Sequence, residues 1–470
     1  MRHWMVWKKF KNMVTDCFNS CFIIALIISI LFYIIYHYVS YALDAASAGI
    51  ALGLFAIIFS MCGLYSTTKQ VNEQQIDYWN GKGVDQHEQG NFDAAIRFYD
   101  KAISIDTRAV DTDPRHYKIW LNKSNALFDI GDREGALAAI RKAIDLDPKS
   151  AKVWNSVGFL YYHKHEYHQA LDALEKASEI DSKLAGVWGN KGAVFCGLHQ
   201  YDRAIQNLEK AIKLDPRLVE AWSNKGNALK DKGELKEAIK AYDKSIELNP
   251  INSTVWYNKG IALKALMRYH EALHSYDKAI EFDPLKLDAW NNKGKIFYHQ
   301  EEYVEAIKAY DKAIDINPQD ITVLLNKCDA LNRLGRHEEA VEVCNRALEI
   351  NSKDALIWFK MGVAIDFLKR HEDAIDAYNR AIQIDNTFFK ALVNKGNALF
   401  ELEKYEDSLN VYDEAVKQDS FNALVQRNRG TVLNKLGRTD EANDAFNQSQ
   451  WIEYVIEYAG SPDSYIDLSS

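Results

Sequence analysis

Eight asparagines share one register of the chain: Asn122, Asn190, Asn224, Asn258, Asn292, Asn326, Asn394 and Asn428, each separated from the next by 34 residues or twice that. A carboxamide has donors and an acceptor, so a file of them can pair with the backbone C=O and N–H of an extended peptide whatever its sequence. The same column also fits plain solvation, or hydrogen bonds local to the helix that carries it. Gly81, Ser156 and Lys360 interrupt it. One residue further on, lysine recurs at 82, 123, 191, 225, 259, 293, 327 and 395. Its aliphatic stem suits half-covered apolar surface, with the ammonium reaching an acid such as Asp243, Asp277 or Asp311. The functional alternative for these lysines is anion binding.

Other groups capable of chemistry lead nowhere. His163, His165, His168 and His199 gather near one turn position, but no carboxylate or cysteine spacing completes a ligand set, so they are expected as solvated turn residues and no metal is expected. Cys328 and Cys344 fall at facing positions of one helix pair and are expected as packed, reduced thiols. There is no phosphate loop, nucleophile elbow, kinase signature or HExxH, so no catalytic residue and no cofactor is expected. A net charge of -9 without a basic stripe argues against nucleic acid as a partner.

The elements that place these residues are set by a repeat. Trp79, Trp120, Trp154, Trp188, Trp222, Trp256, Trp290 and Trp358 mark it, every step from Trp120 to Trp290 being 34 residues, and a seven-residue insertion near Thr107 to Arg115 lengthens the first interval. With tryptophan as position four, position eight is small throughout, from Gly83 to Gly430, with Ser124 and Cys328 as its variants. Position twenty is alanine or Ser408, position twenty-four is often Tyr or Phe, and prolines at 148, 216, 250, 284 and 318 end the second helix. Each unit is therefore helix, turn, helix, with small residues where the two helices touch. These positions resemble those of the tetratricopeptide repeat (TPR) family over residues 76–456, in eleven units.

The expected fold is all-α: a right-handed superhelical solenoid of eleven TPR helix pairs after two transmembrane helices. The resemblance implies a concave groove lined by the first helices, which the family uses to bind proteins or extended peptides. The asparagine column is similar to the ladder in the repeats of O-linked N-acetylglucosamine transferases at the eight positions named. Specificity must come from positions that vary. Leu356, Phe359, Val363 and Phe367 of unit nine, with Leu325 of unit eight, are candidates for an apolar pocket, or else pack against a neighbouring helix. Charge along the groove changes from Asp77, Asp85 and Glu88 to Lys390, Arg427, Arg429 and Lys435.

Ahead of the repeats, residues 1–16 form a basic segment, and the runs 17–43 and 45–68 are uncharged and long enough to span a bilayer. Arg2, Lys8, Lys9 and Lys11 precede the first run and the connection has no basic residue, which predicts a hairpin with the N-terminus and the array cytoplasmic. The competing reading is a cleaved signal peptide ending near Ala46 and Ala48. Residues 69–75 are expected as a linker and 457–470 as a tail. Ala45, Gly49 and Gly53 share one face of the second run and could bring two copies together as a homodimer. The expected function is that of a membrane-anchored, non-enzymatic scaffold that touches lipid through residues 17–68. Three alternatives remain: a targeting or import receptor, a self-associating structural scaffold, and a substrate-presenting subunit of a separate enzyme.

Overall fold

The computed structural model describes residues 45–459, with side chains for residues 60–457 apart from Cys62. The described residues form twenty-three α-helices and no strand. The chain divides into two compact units, one ending at Leu218 and the other beginning at Val219. In the first unit, α1 (Ala45–Glu88) and α2 (Phe92–Ile105) precede the short α3 (Thr107–Thr112) and a 3₁₀ turn, Pro114–His116, which hold the insertion. The pairs α4 (Tyr117–Asp129) and α5 (Arg133–Leu146), α6 (Ala151–His163) and α7 (Tyr167–Ile180), and α8 (Ala185–Gly197) and α9 (Tyr201–Leu214) follow.

The second unit continues with α10 (Val219–Lys232) and α11 (Leu235–Leu248), α12 (Ser253–Ala265) and α13 (Tyr269–Phe282), and α14 (Leu287–His299) and α15 (Tyr303–Ile316). It is completed by α16 (Ile321–Leu334) and α17 (His337–Ile350), α18 (Ala355–Phe367) and α19 (His371–Ile384), α20 (Phe389–Glu401) and α21 (Tyr405–Gln418), and α22 (Ala423–Lys435) and α23 (Thr439–Ala459).

Helix contact within a pair depends on the small residue at position eight. A Cβ added at Gly260 would stand 2.5 Å from the Tyr276 ring, and at Gly226 2.4 Å from Tyr242. Where position eight is larger, its partner is smaller: Ser124 belongs with Ile140, and Cys328 meets Cys344 with the two sulfurs 3.0 Å apart, both buried and free. The hydrogen bond with the Cys328 thiol, and then burial, push the Cys344 thiol pKa up, which keeps it protonated. The tryptophans close the connections between pairs: the indole N–H of Trp154, Trp188, Trp256 and Trp358 donates to the carbonyl six residues earlier at 2.8 to 3.0 Å. The Trp120 indole, which follows the insertion, is buried without such an acceptor.

Position fifteen carries a feature the spacing had not signalled. Its backbone is left-handed in all eleven units, at Gly90, Gly131, Gly233, Gly335 and Gly437 and also at His165, His199, Met267, Glu301, Lys369 and Glu403. The tight turn from first to second helix needs that conformation, and six units adopt it without glycine.

The expected linker is replaced by helix. Residues 69–75 lie inside α1, which runs without a break from Ala45 into the first repeat. The segments 1–16 and 17–43 lie outside the described residues, as does the tail from residue 460 onward. Ala45, Gly49 and Gly53 begin α1, where side chains are not described. Among the described residues no helix is long and apolar enough to cross a membrane.

Candidate functional site: the first-helix face

All eight asparagines of the column are half-buried on first helices. Six of their carboxamides donate to the first helix of the preceding repeat. Asn122, Asn190 and Asn326 donate to Asn80, Asn155 and Asn291 at 3.2, 3.0 and 2.9 Å, an acceptor at position five. Asn258 and Asn428 donate to Asn227 and Asn397 at 3.0 and 3.1 Å, an acceptor at position nine. Asn292 donates to the Tyr257 hydroxyl at 3.1 Å and to the Asp288 carbonyl in its own helix at 2.9 Å.

The interruption at Lys360 keeps the geometry and changes the chemistry. Its ammonium donates to both carboxylate oxygens of Asp329, at position nine of the preceding repeat, at 2.6 Å. A neutral amide pair is thus replaced by a charged one at the same joint. The column therefore links repeats, a use neither sequence reading had included. It still leaves Asn122, Asn190, Asn258, Asn326 and Asn428 a second N–H and spare acceptor capacity, whereas both N–H groups of Asn292 are used.

Acceptors at position nine also reach the second helix. Asn227 and Asn397 accept from the Tyr242 and Tyr412 hydroxyls at 2.8 and 2.5 Å. In α12 that position is Ile261, and the Tyr276 hydroxyl is buried with no partner among the described residues. Burial, with the Tyr257 hydroxyl adding to it, holds the Tyr276 pKa far above its usual value.

The lysines at position seven take the structural role. Lys123, Lys191, Lys259, Lys293 and Lys327 reach Asp100, Glu175, Asp243, Asp277 and Asp311 on the preceding repeat's second helix at 2.5 or 2.6 Å. Arg429 does the same with Asp413, and Arg427 pairs with Glu453. Those two arginines of the expected basic stretch are therefore partly neutralised.

The apolar candidates do not form one pocket. Leu325 is 6% exposed and belongs to the core around α16. Phe359 lies 5.2 Å from the Phe388 ring and, with Val363, packs on the core between α18 and α19. Leu356 and Phe367 are 40% and 59% exposed, at opposite ends of α18, and Phe367 stacks on His337. The histidines are likewise separate. His163 sits against Phe128 and Phe159, where burial, Arg133 and His165 lower its pKa, while His165 and His199 occupy turns and meet the Tyr167 and Tyr201 hydroxyls. Among the described residues no group of His, Cys, Asp or Glu is arranged to hold a metal ion.

A stack of helix pairs joined by a polar column on its first helices defines a helical-repeat protein. Profiles described as tetratricopeptide repeat match residues 86–158, 219–252, 257–321, 297–360 and 355–388, and a TPR repeat profile matches 192–233 and 396–437. Together they take in more than half of the sequence, and the chain belongs to the tetratricopeptide repeat family. Among solved structures it is similar to MamA protein, at 26% identity over 37% of this chain and 94% of that one, TM-score 0.35. It is similar to yeast Tom70 at 16% identity over 81% and 92%, TM-score 0.38. It is also similar to YrrB, described as a TPR protein with an unusual peptide-binding site, at 28% identity over 42% and 97%, TM-score 0.31. No curated protein matches the chain.

Proposed function

We propose that this chain is a membrane-tethered scaffold without catalytic activity, which holds an extended peptide or protein segment along its first-helix face. The observation that carries the reading is the half-buried carboxamide file, which repeats hydrogen-bonding groups at one-repeat spacing and retains N–H and C=O capacity beyond its internal bonds. Leu356 and Phe367 supply exposed apolar contacts beside it. The tether is the hairpin of residues 17–43 and 45–68, with the array on the cytoplasmic side. Support for it comes from the two uncharged runs and from Met61, Leu64, Tyr65 and Val71, which are exposed on α1 ahead of the repeats. Self-association through Ala45, Gly49 and Gly53 is compatible with this reading and is a separate question.

The test uses the full chain in mild detergent as bait, beside a variant with Asn224, Asn258 and Asn292 changed to alanine and leucine-to-lysine and phenylalanine-to-lysine changes at 356 and 367 in a second variant. Wild type is expected to capture a defined set of clients, which one of the variants loses while its circular dichroism spectrum is unchanged. Equal capture by all three removes the first-helix face as the binding site. Release of the native chain from membranes by alkaline carbonate would remove the tether.

A further inference from the structure

Unit eight is built differently from the other ten. It alone places sulfur at both position eight and position twenty-four, where the others set a small residue against a large one. Cys328 on α16 and Cys344 on α17 are fully buried and free, with their sulfurs 3.0 Å apart. The two thiols are not equivalent. The Asn332 amide nitrogen donates to the Cys328 sulfur at 3.7 Å, and the Asn332 carbonyl oxygen accepts from His337 Nδ1 at 3.2 Å. The second bond fixes which end of the carboxamide faces Cys328. His337 is in turn stacked on Phe367, ring centroids 4.8 Å apart, and Phe367 is 59% exposed at the end of α18. A short chain of side chains thus runs from the surface to one of the two sulfurs.

A thiol reacts through a sulfur lone pair, and a donor aimed at that sulfur stabilises the negative charge that develops there. Cys328 has such a donor in Asn332 and also accepts the hydrogen of Cys344, whose proton is held in that bond. The asymmetry makes Cys328 the sulfur that reacts first and Cys344 the one that follows. A small hydroperoxide such as hydrogen peroxide enters when the helix pair opens locally. The Cys328 sulfur gives an electron pair to one peroxide oxygen, the O–O bond breaks, and the departing hydroxide takes the Cys328 proton and leaves as water. The Cys344 sulfur then displaces the hydroxyl of the sulfenic acid so formed, and that hydroxyl leaves with the Cys344 proton as a second water. Two thiols are oxidised to a disulfide and one peroxide is reduced to two waters. The sulfurs need to close by about 1 Å to reach bonding distance, and they already touch.

We propose that Cys328 and Cys344 are a site of reversible oxidation by a hydroperoxide, in which Cys328 is oxidised first, Cys344 closes the disulfide, and Asn332 is a positioning residue. The consequence falls on the stack of repeats. Helix α16 carries Asn326, which donates to Asn291 of the preceding repeat, and Asp329, which accepts from Lys360 of the next. A disulfide fastens α16 to α17 and so stiffens the joints on both sides of unit eight, whatever the first-helix face binds.

The test exposes the full chain in mild detergent to hydrogen peroxide, alkylates the remaining thiols under denaturing conditions and maps the peptides by mass spectrometry. A disulfide between Cys328 and Cys344 is expected, removed by dithiothreitol, with a thermal midpoint several degrees above that of the reduced chain. In Cys344→Ser, where the second step is blocked, dimedone is expected to label Cys328, and in Cys328→Ser to leave Cys344 unlabelled. Asn332→Leu is expected to slow disulfide formation by roughly tenfold, the effect of losing a hydrogen bond to developing charge, and Asn332→Gln to keep most of the rate. Both thiols still alkylated after peroxide, or either one paired with another cysteine, overturns the site. Dimedone on Cys344 rather than Cys328 overturns the order of reaction. Equal rates in the leucine and glutamine variants overturn the positioning role, and an unchanged midpoint overturns the stiffening. The wild-type measurement needs no substitution, so the disulfide stands or falls even where a variant does not fold.

Discussion

At the scale of single residues, one tyrosine register shows how a side chain's worth depends on a neighbour in another helix. Tyr242 and Tyr412 donate to carboxamides, whereas Tyr276, whose helix pair has Ile261 at the acceptor position, keeps a buried hydroxyl without a partner among the described residues. Removing one member of a buried hydrogen bond costs about 1 kcal/mol, and removing an unmatched group costs nothing of that kind. In urea unfolding, Tyr276→Phe is therefore expected to leave the unfolding free energy unchanged or raise it, and Tyr242→Phe and Tyr412→Phe each to lower it by about 1 kcal/mol. Equal losses at all three would mean the Tyr276 hydroxyl has found a bound water. The asparagines teach the same lesson about legibility. Their register was plain in the spacing, but the acceptor of Asn258 is Asn227, 31 residues earlier, and that of Asn326 is Asn291, 35 earlier. A period locates a residue on its own helix and leaves open which of two rows on the next helix it meets.

At the scale of elements, helix pairs were legible because their contacts are made by size. Small residues at positions eight and twenty against a large one at twenty-four can be read from the letters, and the close approach of Gly260 to Tyr276 bears this out. Gly260→Ala is expected to cost about 1–3 kcal/mol through overpacking. Gly260→Ala combined with Tyr276→Leu should recover part of that loss, a coupling that a double-mutant cycle on thermal midpoints measures. Simple additivity would show that the two residues do not press on each other. The turns were less legible. Glycine at position fifteen signals a left-handed backbone in five units, but Met267, Glu301 and Lys369 adopt it too, since the flanking helices impose what the residue type disfavours. The apolar group of unit nine misled for a related reason: Leu325 and Phe359 face their neighbours because successive helices cover part of the side that a single helical wheel leaves open.

At the scale of the whole molecule, the repeat count and the all-helical character of the described residues followed from composition and period, while the junction ahead of the repeats did not. Apart from Val71, Lys69 to Gln75 is polar and suggests a joint, yet polar residues of good helix propensity continue a helix as readily as they interrupt one. Amide hydrogen exchange tests this directly. Residues 69–75 are expected to be protected to the same degree as the first turn of the first repeat, and exchange at coil rates would restore the linker. The unbroken α1 has a mechanical meaning. Its 44 residues make a rod of about 66 Å that cannot swivel, so its two ends share one azimuth. Whatever holds the apolar end therefore also sets the compass bearing of the first repeat, and each residue added or deleted in Lys69–Gln75 would turn that bearing by about 100°. A partner arriving from a fixed direction would meet a different side of the repeat after every such change, with no contact in the array altered.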